Sequence, residues 1–454
     1  MGKREGKLKL GAFLMATGHH VAAWRHPSAA ADAGVSFEHY KQIAQLAEQA
    51  KFDMMFLADS AAVWDRGSDA LARYSAVQLE PITLLSALAA VTRNIGLTAT
   101  VSTTYNEPYH LARKFASLDH LSGGRAAWNL VTSANSSEAL NFNRDEHVEH
   151  GLRYERAREF VEVVTGLWDS WEDEAFVRDR ERGLYFEPER LHVLGHRGKH
   201  FQVRGPLNVA RPIQGHPVLV QAGSSEPGKE LAGETAEVIF TAQQTLADAQ
   251  AFYRDVKGRL AKYGRAPEHL KIMPGIFPVV GKTRAEAEAK FRELQDLIHP
   301  QVGLSLLQSM IGEVDLSSYD VDGPVPELPE TNGGKSRQQL LFALARRENL
   351  TIRQLYERIA GARGHKQLVG SPTDIADVLE EWFTNEGADG FNIMPPTLPG
   401  GLEDFVALVL PELRKRGLFR TEYEGRTLRE NLELPRPANA YVSGRRAARR
   451  DAAE

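Results

Sequence analysis

Residues 216–228 read HPVLVQAGSSEPG, an apolar run suited to a buried strand that stops at Gly223, Ser224 and Ser225 and continues into Pro227 and Gly228. Gly223 carries no Cβ and lets the backbone come close to a ligand. Two hydroxyls with their neighbouring N–H groups make a cradle for an anion such as phosphate. A Ser-rich turn that only caps the following helix accounts for the same residues, so the ends of the other strands have to be compared with this one.

Seven further runs have the same character: LKLGAFLM from Leu8, FDMMFLA from Phe52, IGLTATV from Ile95, AAWNLVT from Ala126, EVIFTA from Glu237, IMPGIFPVV from Ile272 and GFNIM from Gly390. Each is apolar nearly throughout, as parallel strands covered on both faces are. Helical patterns separate them. Phe37, Tyr40, Ile43, Ala44 and Ala47 share one face, and Phe160, Val163, Val164 and Leu167 share another. Thr283 with Glu286 spells a capping box, and Ser371, Pro372 and Asp374 supply a cap, a first-turn proline and an N-terminal carboxylate.

Eight β units with intervening helices predict an α/β fold, a (β/α)8 TIM barrel spanning residues 1–420. Intervals at about 170–210 and 299–389 are too long for simple crossovers and read as insertions after strands 4 and 7. Residues 421–454, ending GRRAARRDAAE, read as a C-terminal arm with a loose end.

In such barrels the active site lies beyond the C-terminal ends of the strands. Strand two ends in Asp59 and Ser60, strand three in Ser102, Thr103, Thr104, Tyr105 and Asn106, and strand four in Asn129, Val131, Thr132 and Ser133. Hydroxyls and amides with one carboxylate suit a heteroaromatic edge and a phosphate, and do not suit paired-carboxylate chemistry. The composition agrees with a cofactor site. A charge of −5 over 454 residues and a pI near 6.3 argue against nucleic-acid or anionic-membrane binding. The chain has no cysteine, which removes disulfides, thiolate metal sites and Cys nucleophiles together. No apolar stretch approaches the roughly 20 residues that span a bilayer, and MGKREGKLKLGAFL lacks a signal-peptide core, so a cytoplasmic protein is expected.

Several segments also carry a resemblance: FLMATGHHVAAWRHP, FLADS, STTYNEPYHLARKFASLDHLSGGRAAWNLVTS, HGLRYERAREF, HPVLVQAGSSEPG and VGSPTDIADVL. In order along residues 8–440, they resemble the bacterial luciferase superfamily. Within it they look like the two-component flavin monooxygenases of the nitrilotriacetate, EDTA and dibenzothiophene-sulfone group. The resemblance implies a luciferase-like barrel, reduced FMN and O2 as co-substrates, a separate NAD(P)H:flavin reductase, and a homodimer or homotetramer. It implies a cofactor set of Asp59 and Thr104, or its neighbour Thr103, near the ring and ribityl chain, with Asn129 in the same set. His150 and Tyr154 would reach the FMN tail, and Ser224 and Ser225 its phosphate. His20 and Trp24 follow the first strand and would border the substrate side, with His20 a candidate for proton transfer. The insertion at 299–389 is the expected lid that keeps water from the reduced cofactor.

Other signals are discounted. NGGKS ends at Ser336 like a P-loop, but the position of the first P-loop glycine is Pro329. Gly195 and Gly198 interrupt any helix that would bring His192, His196 and His200 onto one metal. DEHVEH at 145–150 lacks the HExxH spacing and reads as a solvated helix start. No GxGxxG follows a strand, which fits an external reductase. Arg25 and Arg66 are candidates to meet an anionic substrate. The alternatives are a flavin or deazaflavin enzyme that transfers hydride without inserting oxygen, a metal-dependent barrel hydrolase, and a flavin-binding protein without catalysis.

Overall fold

The computed structural model describes residues 4–63, 68–312, 314–327 and 335–444. Its nine main strands are β1 (Lys9–Leu14), β2 (Met54–Leu57), β3 (Gly96–Ser102), β4 (Ala126–Val131), β5 (Val218–Ala222), β6 (Val238–Thr241), β7 (Lys271–Val280), β8 (Lys366–Gly370) and β9 (Gly390–Ile393). Eight close a parallel barrel in the order β1, β2, β3, β4, β5, β6, β7, β9, with β9 returning to β1 through pairs such as Gly11 with Asn392. All eight strands expected from the sequence are present, and the barrel is the one expected.

The ninth strand, β8, was not foreseen. β7 is ten residues long, and only its first part completes the barrel. Its later residues, Ile276 to Val280, pair with β8. β8 opens with Lys366 and Gln367 and is buried at only two positions, so its polar letters hide it in the insertion. Rim strands of this kind need little apolar character because one face stays near solvent.

Helix starts follow local chemistry. Ser225 Oγ accepts from the Gly228 N–H at the head of helix Glu226–Thr235, and Ser371 and Asp374 form a complete capping box on helix Pro372–Thr384. The box predicted at Thr283 is half made. Thr283 accepts from the Glu286 N–H, but the Glu286 carboxylate takes the Lys282 N–H instead of the cap residue's own.

Between β4 and β5, residues 170–210 hold a two-residue antiparallel pair, His196 with Val203 and Arg197 with Gln202. Between β7 and β8, helices Pro300–Met310, Lys335–Glu348 and Ile352–Ala362 build a core of their own from Leu306, Leu307, Leu341, Leu344, Leu355 and Ile359. Residues 328–334, inside the segment expected to move as a lid, lie outside the described residues.

The segment after Leu418 closes the other end of the barrel. Leu428, Leu432 and Leu434 pack on Met54, Ala127, Val218 and Val238, at or next to the first residues of four strands. Arg429 donates to both carboxylate oxygens of Glu237, which is about 15% exposed, and Arg420 pairs with fully buried Asp53. Its three leucines are all buried, and Arg420 and Arg429 neutralise acids at the strand N-termini.

Candidate active site

The C-terminal ends of the strands open into a cavity of about 2300 Å³. Pockets for one drug-sized ligand run to roughly 300–1,000 Å³, so this one has room for two such molecules.

One side is the end of β5. Gly223 has φ +134°, and a Cβ there would lie 3.5 Å from the Tyr154 hydroxyl. A Cβ on Gly228 would lie 3.1 Å from both Ser225 Oγ and that hydroxyl. Glycines at both positions leave room beside these two hydroxyls. Ser224 Oγ lies 3.3 Å from Thr241 Oγ1, and the His150 and Tyr154 rings are 5.0 Å apart. All of these residues except Gly228 line the cavity. The first-turn N–H groups of helix Glu226–Thr235 add a partial positive charge at the same place. Ser225 is therefore both the helix cap and a rim residue; the two readings of its motif are compatible.

The ends of β2, β3 and β4 carry a polar network. Ser60 Oγ donates to Glu138 Oε1 at 3.1 Å, and Ser133 Oγ donates to Glu138 Oε2 at 2.7 Å. Ser133 Oγ also lies 2.6 Å from Ser102 Oγ, and Asn135 Nδ2 donates to Ser60 Oγ at 3.0 Å. Burial raises the Glu138 carboxyl above its usual range, against the lowering effect of the two serine bonds. Asp59 accepts from Gln78 Nε2 at 3.2 Å, and its pKa is also raised by burial. Phe13, Phe240 and Met394 form an apolar floor, and Leu306, Met310 and Ala343 of the insertion form a wall.

Of the ten residues singled out in the sequence for cofactor or catalysis, five line that cavity and five do not. Asp59, His150, Tyr154, Ser224 and Ser225 line it together. Thr103, Thr104 and Asn129 do not: Thr103 and Thr104 bond to the Val131 and Thr132 carbonyls, and Asn129 Nδ2 donates to Thr100 Oγ1 at 2.9 Å. They set the ends of β3 and β4 from behind, and Thr100 and Ser102 face the cavity in their place.

His20 is buried away from the cavity, with Nε2 3.1 Å from Gln295 Oε1, and its neighbour His19 takes the lining position. His19 Nε2 is 2.9 Å from the Phe13 carbonyl; a carbonyl only accepts, so Nε2 carries the hydrogen and Nδ1 the lone pair. Burial drives the His19 pKa down to about 3 and that of His20 to about 4. Trp24 bonds to the Arg73 carbonyl, and Arg25 to the Leu297 carbonyl, both off the lining. Arg66 lies outside the described residues.

DEHVEH is more than a solvated helix start. His147 and His150 both line the cavity, and His147 Nδ1 lies 2.6 Å from the Tyr105 hydroxyl. His192, His196 and His200 bind separate acids, Glu172, Glu159 and Glu155. Sequence reasoning missed Glu138 and Gln78, whose letters match ordinary first-turn and loop residues; Ser133 at φ +63° was the available hint, because non-glycine residues rarely adopt that conformation.

Hydroxyls and helix N–H groups at one end, Asp59 and Gln78 along the side, and an aromatic floor fit a phosphorylated heteroaromatic group. Gln221 lines the same cavity, and its buried Oε1 has no hydrogen-bond partner among the described residues, an acceptor left for a bound group. Fold and site together describe a barrel with a polar-rimmed cavity at the strand C-termini that suits such a group.

The luciferase-like monooxygenase family model matches residues 13–390. The chain is 55% identical over 445 residues to the N-acetyl-S-(2-succino)cysteine monooxygenase of Bacillus subtilis (strain 168), covering 97% of this chain and 100% of that one. It is 56% identical to nitrilotriacetate monooxygenase component A of Aminobacter aminovorans, covering 96% and 98%. The crystal structure of DmoA from Hyphomicrobium sulfonivorans superposes with a TM-score of 0.86 at 33% identity, over 94% of this chain and 92% of that one. The chain belongs to the luciferase-like monooxygenase family, as its sequence motifs implied. It is an enzyme of the flavin-dependent monooxygenase type.

Proposed function

We propose that the chain is the oxygenating component of a two-component system. It takes reduced FMN from a separate NAD(P)H:flavin reductase and uses O2 to oxidise or cleave a small organic substrate at a C–N or C–S bond. The observation that carries this reading is the meeting of Ser224, Ser225, Tyr154, His150 and Asp59 in one cavity large enough for a second molecule. The relatives named for nitrilotriacetate, as a component A, and for a succinylated cysteine thioether support the reaction class and the need for a partner.

In this reading the Ser224, Ser225 and Tyr154 hydroxyls and the N-terminus of helix Glu226–Thr235 bind the FMN phosphate, with His150 beside them. Asp59, fixed by Gln78, holds the ring edge. Thr103, Thr104 and Asn129 act indirectly by fixing the strand ends. Reduced FMN supplies the electrons that activate oxygen. His19 stays neutral and serves as a hydrogen-bonding wall group, while His20 and Trp24 have structural roles. Leu306, Met310 and Ala343 exclude water from the substrate side.

We assign the barrel to residues 1–420 and a closing arm to the remainder, and we propose a cytoplasmic homodimer or homotetramer. No helix among the described residues is long and apolar enough to cross a membrane. The test is to supply FMN, NADH and a generic flavin reductase and to screen C–N and C–S compounds by mass spectrometry for a gain of oxygen or a cleaved fragment. NADH consumption that yields only hydrogen peroxide across the whole screen counts against the reading.

A further inference from the structure

The cavity wall carries five Lys or Arg side chains whose surroundings differ, and Lys114 is an exposed residue of helix Pro108–Ser122. Lys229 is neutralised by Asp255 at 2.6 Å and by Glu226. Arg347 bonds to Glu348 at 3.2 Å. Arg153 is buried beside Tyr154 and donates to the Val148 carbonyl at 2.8 Å. Arg363 stands elsewhere. Its Nη2 donates to the Tyr74 hydroxyl at 3.0 Å, and its Nε lies 3.5 Å from the His19 carbonyl.

Position and backbone both single it out. His19 follows β1 and Ser224 follows β5, and these strands are four places apart in the ring of eight, so Arg363 and the phosphate rim face each other across the mouth. Arg363 ends helix Ile352–Ala362 at φ +49°, a conformation that glycine adopts without strain, and Gly364 follows at φ +85°. An arginine held in that conformation, with its side chain on the cavity, points to a use for the guanidinium. The wall on the insertion side is apolar through Leu306, Met310 and Ala343, which suits the carbon body of a small acid.

We propose that Arg363 binds a carboxylate of the substrate at the end of the cavity opposite the Ser224 and Ser225 rim, making this enzyme selective for small organic acids. The planar guanidinium offers paired donors that match a carboxylate, and Tyr74 steadies it. The proposal rests on the reading of the cavity as a site for flavin plus substrate.

The test is anaerobic calorimetry with and without reduced FMN. N-acetyl-S-(2-succino)cysteine, nitrilotriacetate and succinate are titrated, each beside its methyl ester, into the wild-type chain, Arg363→Lys and Arg363→Gln, with thermal unfolding of each variant as a check on folding. At least one acid is expected to bind the wild type tenfold or more tighter than its ester. Arg363→Gln is expected to lose that preference, Arg363→Lys to keep part of it, and FMN affinity to stay within twofold. Absence of binding by all three acids, equal acid binding in Arg363→Gln, or a loss of FMN affinity in Arg363→Gln overturns the proposal. A wild type that selects acids through Arg363 but binds no FMN supports the anion site and counts only against the flavin reading.

Discussion

Replacing Tyr154 by Phe removes one hydroxyl and leaves the ring that packs on the core in place. That hydroxyl makes no hydrogen bond to another described residue and stands beside Gly223 and Gly228, within reach of a group bound at the β5 rim. The folded chain therefore loses no internal hydrogen bond, and the melting temperature should stay within about 2 °C, the shift expected for well under 1 kcal/mol in a chain of this size. A hydrogen bond to a charged acceptor contributes about 1.5–3 kcal/mol, so FMN affinity should fall about 10- to 150-fold. Flavin fluorescence quenching measures this, with riboflavin as the control because it has the same ring and no phosphate. The variant should bind riboflavin as the wild type does. Unchanged FMN affinity, or an equal loss for riboflavin, would refute the assignment of the β5 rim to the phosphate.

Three other substitutions test separate parts of the account. Ser224→Ala with Ser225→Ala should weaken reduced-FMN binding by roughly 1–3 kcal/mol. It should also lower stability by about 1 kcal/mol, because Ser225 caps helix Glu226–Thr235; calorimetry and thermal unfolding read the two effects. His20→Asn should leave product formed per FMN oxidised unchanged, since His20 lies off the cavity, and a fall in that yield would return it to the catalytic group. His19 and His20 have folded pKa values of about 3 and about 4, below the ordinary 6.5, so the unfolded chain binds their protons first. Their contribution is complete above pH 6.5 and is lost as pH falls toward 4 for His20 and toward 3 for His19; the stability of His20→Asn should fall less steeply between pH 6.5 and 4 than that of the wild type. Arg429→Met should cost about 3 kcal/mol, because it leaves the largely buried Glu237 without this partner; denaturant unfolding measures it, and a loss below 1 kcal/mol would contradict the ion pair's role.

The barrel was legible because its strands are covered on both faces and therefore spell continuous apolar runs. β8 was not, since Lys366 and Gln367 begin a strand at the rim where burial is partial. The same limit applies to the arm. Leu428, Leu432 and Leu434 look sparse in sequence, yet three leucines are enough to cover the open N-terminal end of a narrow barrel.

At the site, residues beyond strand ends were found, but sequence adjacency does not fix which side chain turns inward. His19 and His20 are neighbours, and the backbone bonds of His19 N to Pro395 and of His20 N to Pro396, contributed by the chain after β9, accompany the turn that puts His19 on the cavity. Thr103 and Thr104 turn toward β4 for the same kind of long-range reason. Glu138 and Arg363 reach the cavity from segments whose positions depend on the whole fold, and no local spacing announces them.

The most direct measurement is a crystal structure of the chain grown with FMN. The account predicts phosphate density against the Ser224, Ser225 and Tyr154 hydroxyls, with the ring edge at Asp59 and the Arg363 end left free for substrate. Phosphate density at Arg363, or flavin bound outside this cavity, would contradict it.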